Sequence, residues 1–409
     1  MSSNHSPQGQ CCQTDQNGEP TPMTKTLNFF NTRSRRIEPF VPITPGEVGL
    51  YCCGPTVYNY AHIGNLRTYF FEDTLRRALE GAGYAVRHVM NITDVGHLQS
   101  DEDLGEDKMA IASRREGRSP WEIAKHYEAE FFRHTDLMNI QRPTVVCRAT
   151  GHIADMIAMI QRLIEQGHAY ESGGNVYYEV ATFGQYGEFA QLQLANRQAS
   201  ERVELDPRKR AQFDFALWFS ESKYPNQIMK WDSPWGEGFP GWHIECSAMA
   251  SLYLGEHFDL HCGGIDHVPV HHTNEIAQAE GCFGHRWVNY WMHGEFLTLD
   301  ADKMSKSSGN FLHLDRLAEL GFEPLDYRYL LLTTHYRTQL QLSDDGLAGA
   351  RAALKTLNNL IHDWRHADAQ PGALPVREEV VNAHEDAFWE AIADDLHTPK
   401  ALAIGWSVA

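Results

Sequence analysis

The chain has 409 residues, 42% hydrophobic and 22% charged, which is the profile of an ordinary globular protein with room for two to four domains. A formal charge of −19 argues against a protein that coats nucleic acid through a broad basic face, though it leaves room for a local basic groove. No apolar run approaches the roughly 18–20 residues of a membrane span, so no membrane partner is expected.

Residues 1–24 are polar, lack the apolar centre of a secretory signal and read as a disordered tail. The eight cysteines (Cys11, Cys12, Cys52, Cys53, Cys147, Cys246, Cys262 and Cys282) are sparse and include no CxxC pair. That usage fits a reducing, cytoplasmic setting, and any metal site must be assembled from distant segments. Two basic clusters, Arg33 with Arg35 and Arg36, and Arg208 with Lys209 and Arg210, read as solvated surface rather than nucleic-acid contacts.

Residues 48–53 read as a buried strand closed by Gly54-Pro55. After the turn Thr56 to Asn65, the residues Leu66, Phe70, Leu75, Ala78 and Leu79 recur at helical spacing, and Gly81 and Gly83 end the run. Residues 85–92 read as a second strand. Strand, turn, helix and strand in this compass make a βαβ unit, which builds a parallel sheet with ligands beyond the strands' C-terminal ends. Residues 101–140 are charged and mostly helical. In residues 151–167, Ile153, Met156, Ile157, Ile160, Leu163 and Ile164 line one helical face. Residues 175–180 suggest a strand, and 190–212 a polar surface stretch. A strand at 257–262, a helix to about 282 and a strand near 286–292 repeat the βαβ order. Residues 346–365 and 379–397 read as two helices of a bundle that is incomplete at Ala409.

Chemistry concentrates in Cys262 to Glu275. Gly263 and Gly264 let backbone approach a ligand closely at a strand-to-helix turn. His271 and Glu275 are four apart and share a helical face, ready as two ligands of a zinc ion; a tetrahedral site needs two more. His272 projects about 100° away from His271. Cys52 and Cys53 are adjacent on a strand, so only one of them faces any given site. Elsewhere, His62-Ile63-Gly64-Asn65 opens the first helix, where Gly64 permits close approach of phosphate and the helix end adds partial positive charge. Lys303-Met304-Ser305-Lys306-Ser307 puts two cations on a polar loop.

These two strings, in this order, resemble the motifs of class I aminoacyl-tRNA synthetases. Leu50 to Tyr58, Asn91 to Asp94, Gly241 to Met249, Gly263 to Asp266 and His271 to Glu275 narrow the resemblance to the cysteinyl-tRNA synthetases, over about residues 26–365. Asn65 stands where that family's first motif usually has a second histidine. The resemblance implies one zinc, held by Cys53, Cys246, His271 and Glu275. It also implies an ATP site at Gly64, Gly264, Asp266 and Lys306, catalytic contributions from His62, Asn65, Lys303 and Lys306, and a cysteine pocket lined by Thr93 and Trp242. Cys52, Cys147, Cys262 and Cys282 then remain as buried packing.

The fold implied is α/β: a Rossmann-like parallel sheet split by an insertion and followed by a helical bundle. Its expected parts are a first catalytic half at 25–140, the insertion at 141–235 and a second half at 236–298. A lysine-loop and tRNA-stem region at 299–345 and a tRNA-binding bundle at 346–409 follow. The expected reaction joins L-cysteine to tRNA(Cys) through an adenylate made from ATP with Mg²⁺, in a monomer. Zinc separates thiol from alcohol, so an insertion of this size need not carry an editing domain. The competing reading uses the same adenylation to join cysteine to an amino sugar, as the mycothiol-pathway ligase does. A catalytically dead zinc protein would have been expected to lose the lysines or the glycine turns, and they are present.

Overall fold

The computed structural model describes residues 25–97, 106–192, 206–220, 227–299, 312–366 and 377–408. The expected tail at 1–24 and the lysine loop lie outside the described residues. A short antiparallel hairpin, Asn28–Asn31 (β1) and Arg36–Pro39 (β2), leads into the first βαβ unit. That unit runs Glu47–Cys52 (β3), Ile63–Gly81 (α1) and Ala85–Ile92 (β4), within a residue of the strand limits read from sequence. Lys108–Glu116 (α2) and Pro120–Leu137 (α3) follow, then Val145–Arg148 (β5). Ile153–Glu165 (α4) buries Ile153, Met156, Ile160 and Leu163 of the expected stripe together with Met159, while Ile157 and Ile164 at its edge stay partly buried.

Ala169–Ser172 (β6), Asn175–Tyr178 (β7), Phe215–Phe219 (β8) and Phe239–Pro240 (β9) form a separate antiparallel sheet in that order. The chain then returns through Trp242–Leu254 (α5), Phe258–Gly264 (β10), His271–Phe283 (α6) and Val288–Gly294 (β11). Leu297–Leu299 (β12), Leu314–Glu319 (α7), Pro324–Leu332 (α8) and Leu340–Leu342 (β13) come next. The C-terminal helices are Asp344–His366 (α9), Glu378–Ala393 (α10) and Thr398–Val408 (α11). The turn between α10 and α11 docks on β1: Phe30 N–H donates to Asp395 at 2.8 Å, and the Tyr336 hydroxyl donates to the same oxygen at 2.6 Å.

The central sheet is parallel throughout, in the order β11-β10-β3-β4-β5. The chain starts in the middle, winds outward through β4 and β5, returns to the other side of β3 with β10, and winds outward again to β11. Between β3 and β10 the winding direction reverses, and the crevice at such a reversal is where open α/β sheets bind ligands. Period-two alternation sorts β3 between two cores. Leu50 and Cys52 pack with α1 on one face, while Tyr51 and Cys53 pack with α4, α5 and α6 on the other.

Two boundaries differ from the sequence reading. β5 pairs with β4 and so belongs to the parallel sheet, although it lies inside 141–235. The insertion's sheet takes β9 from beyond residue 235. β5 is four residues long and ends in Arg148, too little pattern to mark it as the edge of a distant sheet. β8 went unread: Phe215-Ala-Leu-Trp-Phe219 is buried at every residue, because it is the inner strand of a sheet covered on both faces.

Candidate active site and metal centre

A cleft of about 220 Å³ opens at the C-terminal ends of β3 and β10. The turn after β3, from Cys53 to Ala61, forms one wall. Gly264, Asp266 and His267 after β10 form another, and Asn65, Thr68 and Tyr69 of α1 close a third. The end of β10 has little room for a side chain. A Cβ on Gly263 would lie 2.6 Å from His267 and 2.8 Å from His272, and one on Gly264 would lie 2.2 Å from Asp266.

At one end of the cleft three elements meet. Cys53 follows β3, Cys246 lies in α5, and His271 and Glu275 lie in the first turns of α6; their donor atoms all fall within 4.8 Å of one another. All four residues are buried. His271 Nε2 is 2.8 Å from one Glu275 oxygen, and His261 Nε2 is 2.8 Å from the other. Burial opposes charge on both partners, but their mutual attraction wins. It raises the His271 pKa to about 10, and His261 and His271 hold the Glu275 carboxyl well below its usual range. A hydrogen bond from Cys53 lowers the Cys246 thiol, whereas burial pushes Cys53 up. Buried thiolate, imidazole and carboxylate in this proximity are uncomfortable unless a cation joins them, so the donor set fits a metal ion.

The metal end holds more histidines than the sequence reading found. His272 Nε2 lies 3.4 Å from Cys53 Sγ, and Cys53, His261, His272 and Glu275 form a second overlapping donor set. The 100° offset between His271 and His272 does not carry His272 out of the site, because Cys53 lies across both faces of α6's first turn. His272 Nδ1 is 2.7 Å from His293 Nε2, whose ring continues to Thr32 Oγ1 at 2.7 Å. His243 Nδ1 is 2.8 Å from His271 Nδ1, and Trp242 stacks on the His271 ring at 4.1 Å. One sequence signal pointed here: a histidine in the middle of a buried strand, His261, must find a partner.

At the other end α1 begins. His62 caps the helix: its Nδ1 accepts from Gly64 N–H at 3.1 Å, and its own N–H donates to Asn65 Oδ1 at 3.1 Å. Burial and the neighbouring His313 lower the His62 pKa. Neutral and accepting at Nδ1, the ring carries its proton on Nε2. The expectation for Gly64 changes in detail, since its N–H is committed to the cap, and Ile63 N–H donates to Leu312 O at 2.9 Å. Both groups belong to the turn expected to cradle phosphate. What this turn offers an anion is the helix dipole and the Asn65 side-chain amide, which lines the cleft.

Lys303 and Lys306 lie outside the described residues. The segment that holds them is flanked by β12 and by Leu312, whose carbonyl is tied to α1. Asp266 and Trp242 line the cleft. Thr93 is buried behind the wall formed by residues 55–57, and its hydroxyl donates to Glu245 at 3.0 Å. Glu245 also meets His97 at 2.6 Å, so Thr93 reaches the site through a buried network that sequence reasoning missed. Lys108, which also lines the cleft, was missed as well. The two basic clusters hold ion pairs within the chain: Arg33 with Glu280, Arg208 with Asp206 and Arg210 with Glu179. Among the described residues no helix is long and apolar enough to cross a membrane.

The sheet order and the cleft at its reversal are those of a synthetase catalytic domain, and residues 39–352 match the family described as the tRNA synthetases class I (C) catalytic domain. A solved structure shares the fold. Mycobacterium tuberculosis methionyl-tRNA synthetase bound by methionyl-adenylate superposes with a TM-score of 0.61 over 88% of this chain and 82% of that one, at 16% identity. Similarity to cysteine–tRNA ligases is much closer. The Treponema denticola enzyme is 50% identical over 92% of this chain and 80% of its own length, and a Burkholderia lata enzyme is 51% identical over 93% and 79%. The Thermus thermophilus enzyme is 45% identical over 92% and 78%. The chain belongs to the cysteine–tRNA ligase family of class I synthetases.

Proposed function

We propose that the chain activates L-cysteine with ATP and transfers it to the 3′ end of tRNA(Cys), with the two ends of the cleft dividing the work. The observation that carries this reading is the buried Cys53–Cys246–His271–Glu275 tetrad opening onto the cleft at the sheet's reversal. These four residues would hold one zinc ion. Zinc supplies a thiophilic Lewis-acid site, which separates cysteine from serine where a hydrogen-bonding pocket would do poorly. The Cys246 set is preferred to the overlapping one because it offers two sulfurs. That leaves His261 as the partner that orients Glu275, and His243 as the one that orients His271.

The protein's own residues position the reactants. Trp242, stacked on His271, shields the thiol end of the substrate from water. Thr93, fixed through Glu245 and His97, supports the amino-acid pocket from behind. His62 donates from Nε2 and Asn65 from its amide to phosphate oxygens, while Asp266, after Gly264, accepts from the ribose hydroxyls of ATP. Lys303 and Lys306 neutralise charge on the departing phosphates, and Mg²⁺ accompanies the nucleotide. The amino-acid carboxylate attacks the α-phosphorus in line. A carboxyl–phosphate bond forms, the bond to the bridging oxygen breaks and pyrophosphate leaves, with no protein nucleophile needed. A hydroxyl at the tRNA 3′ end then takes the aminoacyl group and AMP departs.

We infer that the enzyme works in the cytoplasm as a monomer. The six described cysteines, all buried and free, are consistent with a reducing compartment. Transfer to tRNA is favoured over transfer to an amino sugar because relatives matching 92–93% of the chain are cysteine–tRNA ligases. The test offers zinc-loaded protein ATP, Mg²⁺ and labelled cysteine, with total tRNA in one reaction and the amino-sugar acceptor in another. Serine serves as the control. Cysteine but not serine is expected on tRNA; label on the amino sugar alone would overturn the reading.

A further inference from the structure

We propose that Lys108 binds the carboxylate of the amino-acid substrate, a role that deepens the cysteine-ligase reading and rests on it. Lys108 opens α2, in a segment remote in sequence from the other cleft walls, yet its side chain lines the cleft. Among the described residues lining that cleft it is the one lysine or arginine. Its Nζ lies 5.7 Å from the Tyr58 ring and 5.9 Å from the Trp242 ring, and Trp242 in turn stacks on His271. This puts the ammonium at the metal end of the cleft, across from the α1 terminus that serves the phosphates.

Substrate size makes the placement specific. In cysteine two carbon atoms separate the sulfur from the carboxyl carbon. A thiol seated at the tetrad therefore leaves its carboxylate beside Trp242, within the space that Lys108 faces. The ammonium then holds an anion that must approach a second anion, the α-phosphate, and it fixes which oxygen is presented.

The backbone of Lys108 is held by the same network that backs the pocket. Its N–H donates to His97 O at 2.9 Å, and His97 pairs with Glu245, which accepts from Thr93. Asp107 caps α2 just ahead of it, accepting from Met109 and Ala110 N–H at 2.6 and 3.0 Å. The lysine thus stands on a rigid base tied to α5, the helix that carries Cys246.

The test compares two ligands that differ by the carboxylate alone. Zinc-loaded wild type, Lys108→Met and Lys108→Arg are titrated calorimetrically with L-cysteine and with cysteamine, in the absence of ATP. Lys108→Met should weaken L-cysteine about tenfold or more, the worth of one charge-assisted hydrogen bond, and leave cysteamine within about twofold. Lys108→Arg, which keeps the charge, should recover most of the L-cysteine affinity. Equal losses for both ligands, or no loss for either, would overturn the assignment while leaving the ligase reading intact. Absence of cysteine-dependent ATP–pyrophosphate exchange in the wild type would overturn the ligase reading and this assignment with it.

Discussion

The two ends of the cleft are built on opposite plans. The metal end draws its four donors from three elements, and three of the donors have a second holder: His261 on Glu275, His243 on His271 and His272 on Cys53. It is buried throughout. The phosphate end is one contiguous turn, His62 to Asn65, whose groups mostly satisfy each other and which is partly open to solvent. The difference fits the tasks proposed for the two ends. Choosing one sulfur over one oxygen requires a fixed, dry donor set, whereas phosphate charge can be met by a helix end common to any nucleotide site.

Breaking the metal end should cost most. Cys246→Ser is expected to lose bound zinc and to lower cysteine-dependent ATP–pyrophosphate exchange by about a thousandfold, about 4 kcal/mol at the transition state. Retained exchange with stoichiometric zinc would remove Cys246 from the ligand set. His261→Gln separates a ligand from an orienting partner. As an orienter it should cost about 10–100-fold in zinc affinity, with the cysteine-over-serine ratio of the loaded enzyme preserved. A loss as deep as that of Cys246→Ser would instead favour the overlapping donor set.

The phosphate end should be more forgiving. Asn65→Ala removes one acceptor from the helix cap and one donor to phosphate. Exchange should fall about tenfold, and the chain should lose about 1 kcal/mol of stability in denaturant titrations, with zinc content unchanged. The smallest effect is expected behind the sheet. Glu72 in α1 is buried, and among the described residues neither of its oxygens has a hydrogen-bond partner; burial raises its pKa well above the usual value, against a smaller opposing pull from Cys52. An acid whose folded pKa is raised binds its proton more tightly when folded. Its contribution therefore erodes as pH climbs from the unfolded value near 4.5 toward the folded one. Glu72→Gln should remove that slope. Melting curves should show no gain near pH 4 and a gain that grows as the pH is raised toward 7.

How much of this was legible depended on whether the pattern was local. β3, β4 and α4 announce themselves through period two or period 3.6, and His271 with Glu275 through a spacing of four. Cys53 and Cys246 became ligands only through family resemblance, because nothing in either neighbourhood distinguishes a ligand from a packed thiol. The second rank of histidines was hidden for a physical reason. His261, His293 and His243 lie on separate elements, and their meeting is a product of sheet order, which no short window contains. β8 is the opposite case, since five consecutive apolar residues were in plain view. Lys108 carried no local mark at all; only the return of α2 to the cleft gives it a place.

The pairing of β3 with β10 also has a consequence for how the molecule is made. The chain emerges from the ribosome with Cys53 early, but Glu275 follows 222 residues later. Through that interval β3 can pair with β4 on one side only, and its other edge stays open until β10 arrives. Domains fold during synthesis at about 5–20 residues per second, so the thiol and the bare strand edge wait for tens of seconds. The insertion's own small sheet is complete well before then. It can fold first and shorten the effective loop that brings the two halves together. Metal capture would then be among the last events of assembly, and a nascent chain stalled before α6 would expose a reactive cysteine and an unpaired strand at the same place.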